Sequence, residues 1–147
     1  MNNPLIFGAS GFIGKHLSNH LGSENRCFDI KANSASKICD VRKSIEIEGD
    51  SVSVLYNLAA IHKTPGHEYH EYFETKIKGA ENICNFAREK NVNTIVFTSS
   101  IAPYGTWEDG KTEESLPLPT SAYGSSKLVA EEIHKRWQAE KPSERKL

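Results

Sequence analysis

The chain has 147 residues, 37% of them apolar and 25% charged, with a formal net charge of −1. That is enough for one domain with its own core, and too apolar for a disordered segment. The charge balance excludes a basic stripe for nucleic acid or a lysine-rich patch for an anionic membrane, and no apolar run is long enough to span a bilayer. Cys27, Cys39 and Cys84 are odd in number and scattered, without a Cys-x-x-Cys pair. They read as reduced thiols of a cytoplasmic protein, not as a disulfide frame or a zinc site. No signal peptide is expected before the first strand.

Strands and helices alternate along the chain. Leu5–Phe7 reads as a buried strand running straight into Gly8, Gly11 and Gly14. Gly11–Leu21 follows as a helix, with Phe12, Ile13, Leu17 and Leu21 predicted on one inward stripe. Arg26–Ile30 and Lys37–Val41 are predicted strands, and Ser44–Glu48 a short helical turn ended by Gly49-Asp50. Val52–Leu58 is a near-continuous apolar run, as expected of a strand covered on both faces. Tyr69–Glu89 is predicted as one long helix with Phe73, Ile77, Ala80, Ile83, Cys84 and Ala87 inward. Thr94–Thr98 is a further buried strand, and Glu108–Ser121 a loop rich in Pro, Gly and charge. Ala122–Ala139 closes the pattern as a helix with Leu128, Val129, Ile133 and Trp137 on its apolar face, before a charged tail, Glu140–Leu147. This βαβ alternation predicts an α/β, Rossmann-like fold with a parallel, doubly wound sheet.

The glycine turn is the strongest chemical signal. Its spacing is G-x-x-G-x-x-G, between a strand and a helix. Glycine permits the tight turn and a close backbone approach to a pyrophosphate, and the free N–H groups at the helix start face the negative charge. Asp29 lies 21 residues beyond Gly8 at the end of the second strand. A carboxylate there can accept from both ribose hydroxyls of NAD and repels the 2′-phosphate of NADP. Lys31, close by, keeps NADP open. Asp40-Val41 ends the third strand, where a carboxylate can reach an adenine amino group. Leu58-Ala59-Ala60 offers small residues at a strand end, where a flat cofactor can lie close to the backbone.

Tyr123 and Lys127 stand four apart at a helix start and therefore share one side of it. The ammonium can lower the pKa of the phenol and make it a usable acid–base group. Tyr72 and Lys76 repeat that spacing in a glutamate-rich stretch and read as a chance surface pair. His62, His67 and His70 read as surface residues.

Taken together and in order, Gly8-Ala-Ser-Gly11-Phe-Ile-Gly14, Asp40-Val41, Leu58-Ala59-Ala60, Thr98-Ser99-Ser100-Ile101-Ala102-Pro103-Tyr104-Gly105, Glu114 with Pro117 and Pro119, and Tyr123-Gly-Ser-Ser-Lys127 resemble the extended short-chain dehydrogenase/reductases, in their NAD-dependent epimerase/dehydratase branch. The resemblance runs over nearly the whole chain. It implies that Gly8, Gly11 and Gly14, with the backbone of Phe12 and Ile13, hold a pyrophosphate. Asp29 would take the adenosine ribose, Asp40 with Val41 the adenine, and Ala59 with Ala60 the nicotinamide side. Tyr123 would be the catalytic acid–base, Lys127 its partner and a ribose ligand, and Ser100 a hydrogen-bonding hydroxyl, with Ser99 as the fallback.

Two residues depart from the family pattern. Lys76 stands three before Gly79, where the family has Asn, and Pro103 replaces Val before Tyr104. Ile101-Ala102 occupies the places of an Asp-Glu pair common in the dehydratases, which favours epimerase chemistry. The expected activity is that of a nucleotide-sugar epimerase working through a keto-sugar and transient hydride transfer. An NAD(P)-dependent ketone or sugar reductase, a dehydratase, and a non-catalytic NAD-binding module stay open. The domain, residues 1–147, is expected to be incomplete at its C-terminus, without the substrate half of the family. A homodimer through helices 69–89 and 122–139 is a further expectation.

Overall fold

The computed structural model describes residues 3–22, 26–31, 36–49, 51–62, 66–106 and 110–147. Five parallel strands form one sheet in the order β3-β2-β1-β4-β5. They are β1 (Leu5–Phe7), β2 (Arg26–Asp29), β3 (Lys37–Ile38), β4 (Leu55–Asn57) and β5 (Ile95–Phe97). In register, Phe7 stands beside Phe28 on one side and Asn57 on the other. The order runs outward from β1 to β3, then returns to the other side of β1. That reversal opens a crevice between the carboxyl ends of β1 and β4, the place where such sheets bind ligands.

β1 is apolar without a break because both its faces are covered. Leu5 and Phe7 pack on one side with Leu55, Ile83, Phe86 and Trp137, and Ile6 packs on the other with Ala9, Cys27, Leu17 and Leu21. Each of the three is fully buried, which is worth about 2 kcal/mol per side chain. The helix α1 (Phe12–Leu21) lies on the second face; α3 (Gly79–Glu89) and α4 (Ala122–Ala139) lie on the first. The sheet is therefore doubly wound. No helix among the described residues is long and apolar enough to cross a membrane.

Several elements differ from the sequence reading. The expected strands are shorter, and Val96 is 41% exposed because no described element covers that face of β5. Residues 44–48 carry no regular secondary structure and form no helical turn. Ile45 is buried and Ile47 packs on the core, while Glu46 and Glu48 are exposed. That alternation is a period of two, not of 3.6. Asp50, Glu108 and Asp109 lie outside the described residues.

Phe12 and Ile13 are exposed, not inward; only Leu17 and Leu21 of the predicted stripe reach the core. On α4 the buried residues are Gly124, Ser126, Lys127, Ala130, His134 and Trp137, while Val129 is exposed. This helix packs closely through small residues and satisfied polar groups, which hydrophobicity alone does not select.

The predicted helix Tyr69–Glu89 has three parts: α2 (Tyr69–Phe73), a π-helical turn (Glu74–Lys78) and α3. A capping box between Glu68 and Glu71 starts it. The tail is more than charged surface. Arg145 is buried, stacks on Trp137 and donates to the Trp137 carbonyl at 2.6 Å and to Glu140 at 2.5 Å. Lys146 then bridges Thr94 in parallel, beside β5.

Candidate functional site

The glycine turn has the geometry that its sequence requires. Gly8 has φ +84°, and a Cβ there would lie 2.6 Å from the Leu58 carbonyl carbon and 2.7 Å from the Ala59 nitrogen. Only glycine combines that dihedral with that approach. A Cβ on Gly14 would lie 2.6 Å from the Ala9 Cα, so the start of α1 sits directly on the turn. Gly11 is the N-cap of α1, and neither a capping side chain nor an acidic residue covers the first turn. The N–H groups there have no helical partner and carry the positive end of the helix dipole, which together attract an anion.

This helix end opens into a cavity of about 580 Å³ at the crevice of the sheet. Every predicted cofactor-binding residue lines it: Gly8, Gly11, Phe12, Ile13 and Gly14 at the turn; Asp29, Asp40 and Val41 at the ends of β2 and β3; Leu58, Ala59 and Ala60 after β4; Ser99, Tyr123 and Lys127 on the far side. The exposed side chains of Phe12 and Ile13 form its rim, so their exposure belongs to the site. A cavity of this size and a cradle that a Cβ would fill fit a dinucleotide.

The carboxylates are not idle. Asp29 accepts the Ser10 N–H at 2.9 Å. Asp40 is engaged by Arg42 on both oxygens, at 2.9 Å from Nε and 2.8 Å from Nη2. The Arg42 side chain holds the Asp40 carboxyl below the usual carboxylate range.

At the far side, the Ser121 hydroxyl caps α4 by accepting the Gly124 N–H at 3.0 Å. A Cβ on Gly124 would lie 2.5 Å from the Ala102 oxygen, so α4 is seated on the 3₁₀ turn Ala102–Tyr104. This presents Tyr123 and Lys127 to the cavity. The Lys127 ammonium donates to the Thr98 carbonyl at 2.5 Å and lies over the Phe97 ring, 4.7 Å from its centroid. Burial pushes its pKa down to about 8. Ser100 stands outside the cavity lining, its hydroxyl accepting the Ala102 N–H at 3.2 Å. Ser99 donates to Glu131 at 2.9 Å.

The second Tyr-Lys pair corrects the sequence reading. Tyr72 and Lys76 are 2% and 3% exposed, not surface residues. The Lys76 ammonium donates to the Ile61 carbonyl at 3.0 Å and lies 4.2 Å from the ring centroid of Tyr123. The glutamates around it mark the outer face of the helix, and the π turn brings Tyr72 and Lys76 inward. The departure at position 76 was the one signal of this in the sequence. Sequence reasoning also missed Arg42, Thr98, Thr75 and His62, which line the cavity. His62, His67 and His70 are exposed, as expected.

Beneath the site, Asn57 and His134 form a buried pair at 3.2 Å. His134 Nδ1 donates to the Ala130 carbonyl at 2.6 Å, and its ring stacks on Phe97 at 4.4 Å. Burial lowers its pKa, so the ring is neutral and its Nε2 accepts from Asn57.

The parallel order, the crevice at the strand ends and the glycine turn define a dinucleotide-binding fold of the extended short-chain dehydrogenase/reductase type. The profile of the NAD dependent epimerase/dehydratase family matches residues 4–144. The chain belongs to that family. It is 31% identical over 159 residues to the N-acetyl-alpha-D-glucosaminyl-diphospho-ditrans,octacis-undecaprenol 4-epimerase of Escherichia coli O157:H7, covering 99% of this chain and 46% of that one. It is 27% identical to the UDP-glucose 4-epimerase of Bacillus subtilis, covering 88% of this chain and 46% of that protein. Among solved structures, a UDP-galactose 4-epimerase superposes with a TM-score of 0.78 at 27% identity, over 92% of this chain and 51% of the other. The protein MoeE5 in complex with UDP-glucose and NAD gives a TM-score of 0.78 at 26% identity, over 97% and 51%. The chain thus spans about half the length of the relatives it matches.

Proposed function

We propose that this chain is the cofactor-binding part of an NAD-dependent epimerase acting on a sugar carried by a diphosphate, a nucleotide-sugar in the first instance. One observation carries the reading: Tyr123 and Lys127 open onto the same cavity as the glycine turn and the uncapped start of α1. The names of the relatives, UDP-sugar and diphospho-undecaprenol epimerases, support the substrate class.

The turn at Gly8, Gly11 and Gly14 would hold the pyrophosphate, with Asp29 on the adenosine ribose. Asp40 would share its oxygens between adenine and Arg42. Lys127 would hold the nicotinamide ribose, and its ammonium would favour the ionised Tyr123. The phenolate takes the proton of a sugar hydroxyl, and a hydrogen-bonding hydroxyl, Ser100 or Ser99, supports the forming carbonyl. When bound, NAD supplies the hydride acceptor that makes the keto-sugar reachable. Tyr123 would return the proton to the oxygen of the keto-sugar presented by its other face, completing an inversion without net redox change. Ile101-Ala102 offers no acid–base pair for eliminating water, which favours epimerisation over dehydration. A homodimer through α2–α3 and α4 is part of the proposal; exposed Tyr69 and Val129 on those helices support it.

Calorimetric titration with NAD and NADP tests the cofactor reading, and NAD-loaded chain incubated with UDP-glucose tests the chemistry. NAD binding in preference to NADP is expected, with loss in Asp29→Ala. Failure to bind either nucleotide would overturn the proposal. Stoichiometric NADH formation with product would favour a reductase instead.

A further inference from the structure

The cation that touches Tyr123 comes from another helix. Lys127 is engaged with the Thr98 carbonyl and the Phe97 ring. Lys76 reaches across from the π-helical turn and sets its ammonium over the faces of both Tyr123 and Tyr72, at 4.2 and 4.8 Å from their centroids. Among the described residues its one hydrogen bond is to the Ile61 carbonyl, at 3.0 Å. None of the described ion pairs involves Lys76, and the other groups facing it are Tyr123 and Lys127 from α4 and Tyr72 from its own helix. Burial in that company, with Lys127 adding repulsion, brings the pKa of Lys76 down to about 7.

A cation over a phenol ring is attracted to its π face, and more strongly when the ring carries the charge of a phenolate. We propose that Lys76 is a positioning residue for Tyr123, its ammonium favouring the ionised phenol from the neighbouring helix in addition to the role given above to Lys127. The coupling is mutual: a phenolate below Lys76 favours the charged amine, and a charged amine favours the phenolate. The use of that phenolate as an acid–base group rests on the function proposed above; the coupling itself does not.

Ultraviolet titration of tyrosinate in the whole chain tests this, with the Tyr123 signal taken as the difference from Tyr123→Phe. Lys76→Arg fixes a charge at the position and Lys76→Met removes it. Tyr123 is expected to ionise at lower pH in the arginine variant than in the methionine variant, by about one pH unit. A purely structural role would not separate two folded variants in this way. Equal midpoints would overturn the inference. Circular dichroism checks folding; if Lys76→Arg does not fold, a polyfluorinated tyrosine at position 123, whose phenol ionises while Lys76 is still charged, is titrated in the parent and in Lys76→Met, with the parent expected lower and equality again overturning the inference. Failure to bind NAD would sink the proposed function and leave this titration standing, and equal midpoints would do the reverse.

Discussion

The carboxylate of Asp29 accepts the backbone N–H of Ser10 at 2.9 Å, so the end of β2 is bonded to the turn that leaves β1. The Ser10 hydroxyl adds a bond to the Lys31 carbonyl at 3.2 Å. The residue proposed to hold a ribose therefore also shapes the loop proposed to hold the pyrophosphate. Asp29→Ala is expected to lower NAD affinity by more than tenfold, since a hydrogen bond to a charged group is worth about 1.5–3 kcal/mol. Asp29→Asn, which keeps an acceptor for Ser10, is expected to fall between the two in calorimetric titration. Equal losses in both variants would mean that charge toward the ligand, not the loop, is what matters.

Gly8 and Gly22 both have left-handed φ, +84° and +76°, and among the described residues only Gly8 of the two has neighbours in the way of a Cβ. Gly22→Ala is expected to cost about 1–3 kcal/mol of backbone strain. Gly8→Ala adds a clash with Leu58 and Ala59 and is expected to cost more, with loss of NAD binding. Denaturant unfolding and NAD titration of the two variants check both halves of that contrast.

Lys76 gives a stability profile with a defined sign. Its pKa is about 7 in the folded chain, against about 10.4 when unfolded. The unfolded state thus binds more protons between those values, and its contribution rises with pH across the window. Lys76→Met is expected to be more stable than the parent, with the largest gap below pH 7 and a shrinking gap above it. Thermal unfolding from pH 6 to 9 measures this; a gap independent of pH would show that the amine is not titrating there.

His134 has the same sign at a lower pH. Burial depresses its pKa below the unfolded value of about 6.5, so its contribution is complete above that value and is lost as pH falls. His134→Phe keeps a ring against Phe97 but leaves Asn57 without its acceptor. It is expected to be less stable than the parent at neutral pH by about 1–3 kcal/mol, and to lose less stability on acidification. Melts at pH 7.5 and 5 check the crossing of those two effects.

The lining of the cavity around the glycine turn was legible because its residues obey local rules. A strand of apolar residues, glycines at turn spacing and carboxylates at strand ends place Gly8, Asp29 and Asp40 together without any knowledge of packing. The bounds of α4 were equally plain. Its buried face was not: Ser126, Lys127 and His134 are inside because Gly124 lets the helix sit on Ala102 and because Thr98 and Asn57 supply partners. Those contacts lie 22 to 77 positions away in the chain. Residues 44–48 misled because the one pair that shows the period of two, Ile45 and Ile47, is a short signal beside the turn residues Gly49-Asp50 that follow it. Tyr72 and Lys76 misled because five glutamates between positions 68 and 89 dominate the pattern of their helix.

The π-helical turn at Glu74–Lys78 has one more consequence. Such a turn holds one residue more than the α-helix around it, and each residue of an α-helix turns it by about 100°. Removing a single residue there would swing Tyr72 and its whole segment by that angle, away from Tyr123, with every side chain of α3 left in place. The alignment of the two Tyr-Lys pairs is thus written in the length of this stretch. It can absorb changes of letter at its exposed positions, but not a change in their number.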